Sequence, residues 1–133
     1  MKYLVTGGAG FIGSHLASHL VAQGNDVTVI DNFLTGKREN LFDIQADIHL
    51  IEGDLNSEIK INAAVKDIDI IFHQAALPSV PRSIQDPIKS LQNNVMGTVR
   101  LLHAAVNAGV RRIVYAASSS AYGNADVALK HEN

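Results

Sequence analysis

The sequence has no cysteine and no tryptophan, and only 5% of its 133 residues are aromatic. Without cysteine there is no disulfide, no thiolate nucleophile and no thiolate metal site, and a cytoplasmic setting is expected. With so few rings, packing falls to Ala, Val, Ile and Leu. Charged residues are also sparse at 18%, and the formal net charge is −2. That balance gives no electrostatic footing for nucleic acid or an anionic membrane, so neither is expected as a partner. No apolar run is long enough to span a bilayer. The opening segment, MKYLVTGGAGFIGSH, is too short and too glycine-rich for a signal peptide.

What is present is alternation. A hydrophobic content of 47% fits one domain with its own core. Lys2–Thr6, Val27–Asp31, Ile48–Glu52, Ile68–His73 and Arg112–Ala117 read as strands, apolar and β-branched as strands buried on both faces are. A helix is expected over Phe11–Gln23, with Phe11, Ile12, Leu16 and Leu20 on one side and Gly24 as its stop. A longer helix is expected between the last two strands. Asp86 caps it, Pro87 fits its first turn, Gly109 ends it, and Ile88, Leu91, Val95, Val99, Leu102 and Val106 recur at helical spacing. Strand–helix alternation with right-handed crossovers predicts an α/β fold, a doubly wound parallel sheet with strand order 3-2-1-4-5. Ligands bind such sheets outside the carboxyl ends of the strands. The chemistry is therefore expected after Thr6, Ile30, Glu52 and Phe72, and at the serines after Ala117.

The first of these places carries Thr6-Gly7-Gly8-Ala9-Gly10-Phe11-Ile12-Gly13. Gly7, Gly10 and Gly13 follow a strand and open a helix, where glycine allows a tight turn and close approach of backbone N–H groups to a pyrophosphate. Asp31, at the end of the next strand, can accept hydrogen bonds from adenosine ribose hydroxyls and would repel a 2′-phosphate, which favours NAD over NADP. Lys37 and Arg38 are the residues that could neutralise such a phosphate. His15 and His19 stand at metal-compatible helical spacing, but no cysteine or suitably spaced carboxylate joins them, and no metal is assigned. His73, ending the fourth strand, reads as a hydrogen-bonded core or loop histidine rather than an acid–base group.

Glycines spaced Gly-x-x-Gly-x-x-Gly after a threonine resemble the extended short-chain dehydrogenase/reductase superfamily, and the resemblance runs along the whole chain. DNFLTGKREN is similar to the ribose and phosphate loop of nucleotide-sugar 4-epimerases, which implies cofactor contacts at Asn32 and Gly36 besides Asp31. EGDL resembles the segment whose Asp, here Asp54, reads the adenine amino group while the next residue, Leu55, packs on the ring. HQAALPSVPRS resembles the loop along the nicotinamide ribose and substrate, with Gln74, Ala75 and Ala76 on the cofactor and Ser79 and Ser83 on the sugar nucleotide. NNVMGT resembles a helix whose first Asn, here Asn93, contacts the cofactor. The resemblance therefore implies an incomplete NAD-binding Rossmann domain over residues 1–133, with Phe11 and Ile12 joining the glycines at the cofactor. Read from the residues alone, Asp54 could instead cap the next helix, although Asn56 and Ser57 are better placed. The alanines could be simple close packing, and Asn94 competes with Asn93.

AASSSAYG resembles the family's catalytic serine strand. Counted back from Tyr122-Gly123, the catalytic hydroxyl falls on Ser118, with Ser119 and Ser120 holding substrate or satisfying the strand end. HQAAL-SVPRS and YAASSS-YG are most similar to bacterial epimerases of UDP-N-acetylhexosamines, although Pro78 stands where that group usually has glycine. The family base, the tyrosine of Tyr-x-x-x-Lys, has no match: four residues after Tyr3, Tyr115 and Tyr122 stand Gly7, Ser119 and Asp126. The expectation is thus the N-terminal, cofactor-binding portion of an NAD-dependent UDP-sugar epimerase, an isomerase lacking its substrate domain and inactive alone. A UDP-sugar is its substrate, and an open sheet edge beside an apolar helix makes it a homo-oligomer. The competing readings are a non-catalytic dinucleotide-binding module or subunit, and a sibling nucleotide-sugar dehydratase or decarboxylase.

Overall fold

Successive side chains of a strand point to opposite faces, and in β1 (Lys2–Thr6) both faces are apolar. Leu4 and Val5 have no exposed surface, yet they belong to different halves of the core. In this computed structural model, which describes residues 1–123, β1 is the centre of a five-stranded parallel sheet. Its neighbours are β2 (Asp26–Asp31) and β4 (Ile70–His73), with β3 (Ile48–Glu52) and β5 (Arg112–Tyr115) at the edges. The order is β3-β2-β1-β4-β5, as the alternation predicts.

Helices cover both faces. On one, Ala17 and Leu20 of α1 (Phe11–Ala22) and Leu41 and Ile44 of a 3-10 segment (Arg38–Ile44) pack on Val5, Val27 and Val29. On the other, Ile61 and Val65 of α2 (Glu58–Val65) and Leu101 and Ala105 of α5 (Gly97–Asn107) pack on Leu4, Ile30 and Ile71. Burying a side chain such as Leu101 is worth about 1.5–3 kcal/mol.

The structure departs from the sequence expectations in several places. The inner face of α1 is Gly13, Ser14, Ala17 and Leu20, while Phe11 and Ile12 are exposed. Close approach decides this: a Cβ at Gly13 would lie 2.3 Å from Gly7 O. A short unforeseen helix, α3 (Val80–Gln85), precedes the long one. The long helix itself is interrupted, running as α4 (Pro87–Leu91), a π-helical turn (Gln92–Met96) and α5. Its apolar stripe from Ile88 to Val106 is exposed, because the sheet takes Gly97, Leu101, Ala104 and Ala105 instead. Finally, β4 starts at Ile70 rather than Ile68, and β5 stops at Tyr115, with Ala116 N–H still bonding His73 O.

Candidate functional site: a cleft at the carboxyl ends of the strands

The strand ends of β1, β2, β3 and β4 open into one cleft of about 360 Å³. Its floor is the glycine turn. Gly7 has φ +67°, a region that disfavours side chains, and a Cβ there would meet the Ala75 backbone at 2.8 Å. The turn therefore lets β1 and the loop after β4 lie against each other. Gly10 is the N-cap of α1 and gives no side-chain cap. The first helical bond is Ser14 N–H to Gly10 O, so the N–H groups of Phe11, Ile12 and Gly13 precede the ladder. These three residues line the cleft, and no acidic side chain stands in the first turn. The positive end of a twelve-residue helix thus faces the cleft without a protein anion to offset it. That donor set fits a pyrophosphate.

Asp31 is almost fully buried at the end of β2. Its Oδ2 accepts from Ala9 N–H at 2.9 Å and its Oδ1 from Phe33 N–H at 2.8 Å. Phe33 adopts φ +55°, an uncommon conformation for a bulky residue, and the Asp31 bond helps hold it there. Each carboxylate oxygen keeps a further lone pair for a hydroxyl donor.

Asp54 sits beyond β3. Its Oδ2 accepts from Asn32 Nδ2 at 2.7 Å, and its Oδ1 from the backbone N–H and side-chain amide of Asn56, at 2.7 and 2.9 Å. Arg100 of α5 donates to Asn56 Oδ1. Burial pushes the Asp54 carboxyl up, but the Asn56 and Asn32 hydrogen bonds and the Arg100 charge outweigh it and hold the pKa below the usual value. Asp54 is therefore a fixed acceptor, and the helix cap of α2 is Ser57 rather than Asp54.

The opposite wall is the loop after β4. Gln74, Ala75 and Ala76 line it, with Asn93 of the π-helical turn facing in. The adjacent Asn94 does not line the cleft. It grips Leu77, accepting from its N–H at 2.7 Å and donating to its carbonyl at 3.3 Å.

Every residue assigned to the cofactor from sequence lines this one cleft, Asn32, Gly36, Asp54 and Leu55 included. The serines are placed differently. Ser79 caps α3, accepting from Arg82 N–H at 3.4 Å, and Ser83 donates to Val80 O at 2.8 Å. Neither lines the cleft. Ser118 follows β5 and accepts Ala121 N–H at its carbonyl, at 3.0 Å. Ser119 and Ser120 begin a 3-10 turn (Ser119–Tyr122), and their side chains lie outside the described residues. Sequence reasoning did not single out Thr35 or Leu77 at the cleft; only their adjacency to Gly36 and Ala76 signals them.

Of the two cations beside the cleft, Arg38 is committed elsewhere. It pairs with Glu52 and lies over the Phe33 ring, 4.2 Å from the centroid. His15 and His19 bond within α1, to Phe11 O and to the Gln23 side chain. Among the described residues no group of three metal-ligating side chains comes together.

Comparison with known proteins agrees with this geometry. The model of the NAD dependent epimerase/dehydratase family matches residues 3–133. A UDP-glucose 4-epimerase of Lactobacillus helveticus is 41% identical over 125 residues, covering 92% of this chain and 37% of its own length. UDP-glucuronic acid decarboxylase 1 of Danio rerio is 37% identical over 134 residues, covering 99% of this chain and 31% of the relative. The crystal structure of a UDP-glucose 4-epimerase from Stenotrophomonas maltophila, with bound NAD and formylated UDP-arabinopyranose, superposes with a TM-score of 0.87. It is 33% identical, and the match covers 96% of this chain and 40% of that one. The chain thus spans well under half the length of these relatives. A parallel sheet ordered 3-2-1-4-5, a glycine turn under its cleft and a family match over nearly the whole sequence lead to one conclusion: the chain belongs to the NAD-dependent epimerase/dehydratase family.

Proposed function

We propose that this chain is the NAD-binding part of a UDP-sugar 4-epimerase. The observation that carries the reading is the cleft, where an uncapped helix end, an Asp31 carboxylate and a fixed Asp54 acceptor stand in the order pyrophosphate, ribose and adenine require. Gln74–Ala76 and Asn93 would then hold the nicotinamide half. NAD would supply a hydride acceptor for the sugar's C4. The chain's own contribution to that step is Ser118, which follows β5 at the same sheet edge and would hydrogen-bond the 4-hydroxyl. Ser79, Ser83, Ser119 and Ser120 would contact the substrate only once further protein closes over them. A homo-oligomer, with a UDP-sugar as the small-molecule partner, completes the reading.

The sibling decarboxylase reading is favoured by the similarity to two decarboxylases, those of Danio rerio and Bacillus cytotoxicus. Against the dehydratase stands the serine cluster at Ser118–Ser120, similar to the epimerase strand. Calorimetric titration of NAD into the chain tests the cofactor part, with saturable one-to-one binding expected. Reading the gene past the codon for Asn133 tests the enzyme part: a Tyr-x-x-x-Lys within a few tens of residues is expected. The extended protein should then interconvert UDP-galactose and UDP-glucose, or their N-acetyl counterparts. Release of carbon dioxide from UDP-glucuronate instead would select the decarboxylase, and no NAD binding at all would leave the family fold without its cofactor.

A further inference from the structure

A continuous chain of hydrogen bonds runs beneath the cleft, from the glycine turn to the π-helical turn. Ala75 N–H donates to Thr6 Oγ1 at 3.2 Å. The Thr6 hydroxyl meets His73 Nδ1 at 2.6 Å, and His73 Nε2 meets Thr98 Oγ1 at 2.9 Å. The Thr98 hydroxyl donates to Asn94 O at 2.7 Å, and the Asn94 side chain grips both backbone groups of Leu77. Thr6 has no exposed surface and His73 has 2%.

The direction of every proton follows. A hydroxyl carries one proton, and that of Thr98 goes to Asn94 O. Toward His73, Thr98 can therefore only accept, so Nε2 carries the ring proton. In the neutral ring Nδ1 is then an acceptor, and Thr6 donates to it while accepting from Ala75. Burial supports the neutral ring, lowering the His73 pKa to about 4. The chain also meets an unusual backbone. Gly97 N–H reaches back five residues to Gln92 O, a widened turn that is rare inside helices and frequent at functional sites.

We propose that His73 is a positioning residue of the cleft: as the Nε2–H tautomer between Thr6 and Thr98, it sets the 74–77 wall and the Asn93 turn that receive the nicotinamide half of the dinucleotide. This rests on the dinucleotide reading of the cleft. It adds that the two halves of the cleft are held by separate networks. Asp31 and Asp54 are fixed by Ala9, Phe33, Asn32, Asn56 and Arg100, none of which belongs to the His73 chain. Disturbing His73 through Thr98 should therefore act on one half of the ligand only.

The test uses the full chain and two ligands, NAD and ADP, titrated calorimetrically. Thr98→Val keeps the shape but leaves Nε2–H without an acceptor. It should weaken NAD roughly tenfold, the scale of one buried hydrogen bond lost, and leave ADP unchanged. Thr98→Ser should restore NAD binding. Nitrogen-15 NMR of the unsubstituted chain should show the His73 ring as the Nε2–H tautomer near neutral pH. If Thr98→Val does not fold, Asn94→Ala, at a partly buried position that leaves His73 itself paired, should give the same split between the ligands. Unchanged NAD binding in the folded variant overturns the proposal, as does equal weakening of NAD and ADP, or an Nδ1–H or charged ring. An unsubstituted chain that binds neither ligand overturns the dinucleotide reading and this proposal together, whereas one that binds both while the variant behaves identically overturns this proposal alone.

Discussion

Asp31 Oδ2 accepts a hydrogen bond from Ala9 N–H at 2.9 Å, tying the end of β2 to the middle of the glycine turn. The bond fixes a carboxylate beside the helix end that would receive a pyrophosphate. A ribose bound there would therefore meet an acceptor already oriented. A 2′-phosphate would meet a negative charge instead, and Arg38, one of the two cations that could answer it, is held by Glu52 and Phe33.

The first prediction follows. NAD should bind at least about tenfold tighter than NADP, a difference of about 1.4 kcal/mol. Asp31→Asn removes the charge and also one of the two acceptors that Ala9 and Phe33 use, so it should weaken NAD and narrow that ratio. Parallel calorimetric titrations check both, and equal or tighter NADP binding to the unsubstituted chain would reassign Arg38 or Lys37 to the phosphate.

Glycine substitutions should separate close approach from backbone strain. At Gly13 an added Cβ would lie 2.3 Å from Gly7 O and 2.8 Å from Gly8 Cα, both backbone atoms that cannot step aside. Gly13→Ala should cost about 1–3 kcal/mol and abolish NAD binding by displacing the turn. Gly24 has φ +74° with nothing within 4 Å of the added atom. Gly24→Ala should cost only about 1 kcal/mol and leave NAD affinity intact. Chemical denaturation with NAD titration distinguishes the two.

Acid should destabilise the fold first through His73. Its pKa falls to about 4 from an ordinary 6.5, because burial disfavours the charged ring. Between those values the unfolded chain binds a proton that the native chain does not, so stability falls as pH drops from about 6.5 to 4, by up to about 3 kcal/mol. The Asp54 pKa is lowered as well, held down against burial by its hydrogen bonds to Asn56 and Asn32, so its contribution is present above its ordinary 3.8 and is lost only below that. Denaturant midpoints at pH 7 and pH 4.5 check this, and a His73→Gln variant should lose most of the difference.

The sheet was legible because each strand is a short apolar run bounded by turn residues, and the cleft because parallel strands deliver their ends to one side. Gly7, Gly10, Gly13 and Asp31 announce themselves by position. The π-helical turn did not, since Gln92–Met96 keeps an ordinary helical pattern and the distortion coincides with a tertiary bond, Asn94 to Leu77, that no local pattern signals. Phe11 and Ile12 misled for a related reason: apolar periodicity marks a core face only where the helix does not need small residues to approach the sheet. The exposed stripe on the long helix is the same lesson, because Gly97, Ala104 and Ala105 allow the closer contact that larger side chains would prevent.

That stripe carries a further prediction. Ile88 is 68% exposed and Val106 is 78% exposed, and among the described residues β5 pairs only with β4, leaving its other edge open. Apolar patches and open strand edges favour association. The chain should therefore sediment above its monomer mass at micromolar concentration. Replacing Val99 and Leu102 by glutamine should shift it toward monomer without loss of the fold, since both side chains are exposed. A clean monomer of the unsubstituted chain at high concentration would count against the prediction.

The chain should bind NAD yet turn over no UDP-sugar. The residues offered to the adenosine half all lie on one preformed wall of the cleft, so binding needs nothing further. Turnover needs a base for the sugar's 4-hydroxyl. On the proposed reading Ser118 would orient that hydroxyl, but a neutral serine is too weak a base to take its proton, and the sequence holds no Tyr-x-x-x-Lys. A missing positioned base typically costs roughly 10²–10⁴ in rate. The sugar is also held poorly, because Ser79 and Ser83 are turned to local bonds in α3. Lost positioning can remove about 7–11 kcal/mol of barrier lowering. Both losses fall on the same step, so conversion of UDP-galactose or UDP-N-acetylgalactosamine should not rise above background in the presence of NAD. Product that scales with protein and disappears in Ser118→Ala would instead mean that a second copy of the chain, or a group elsewhere on it, supplies the base.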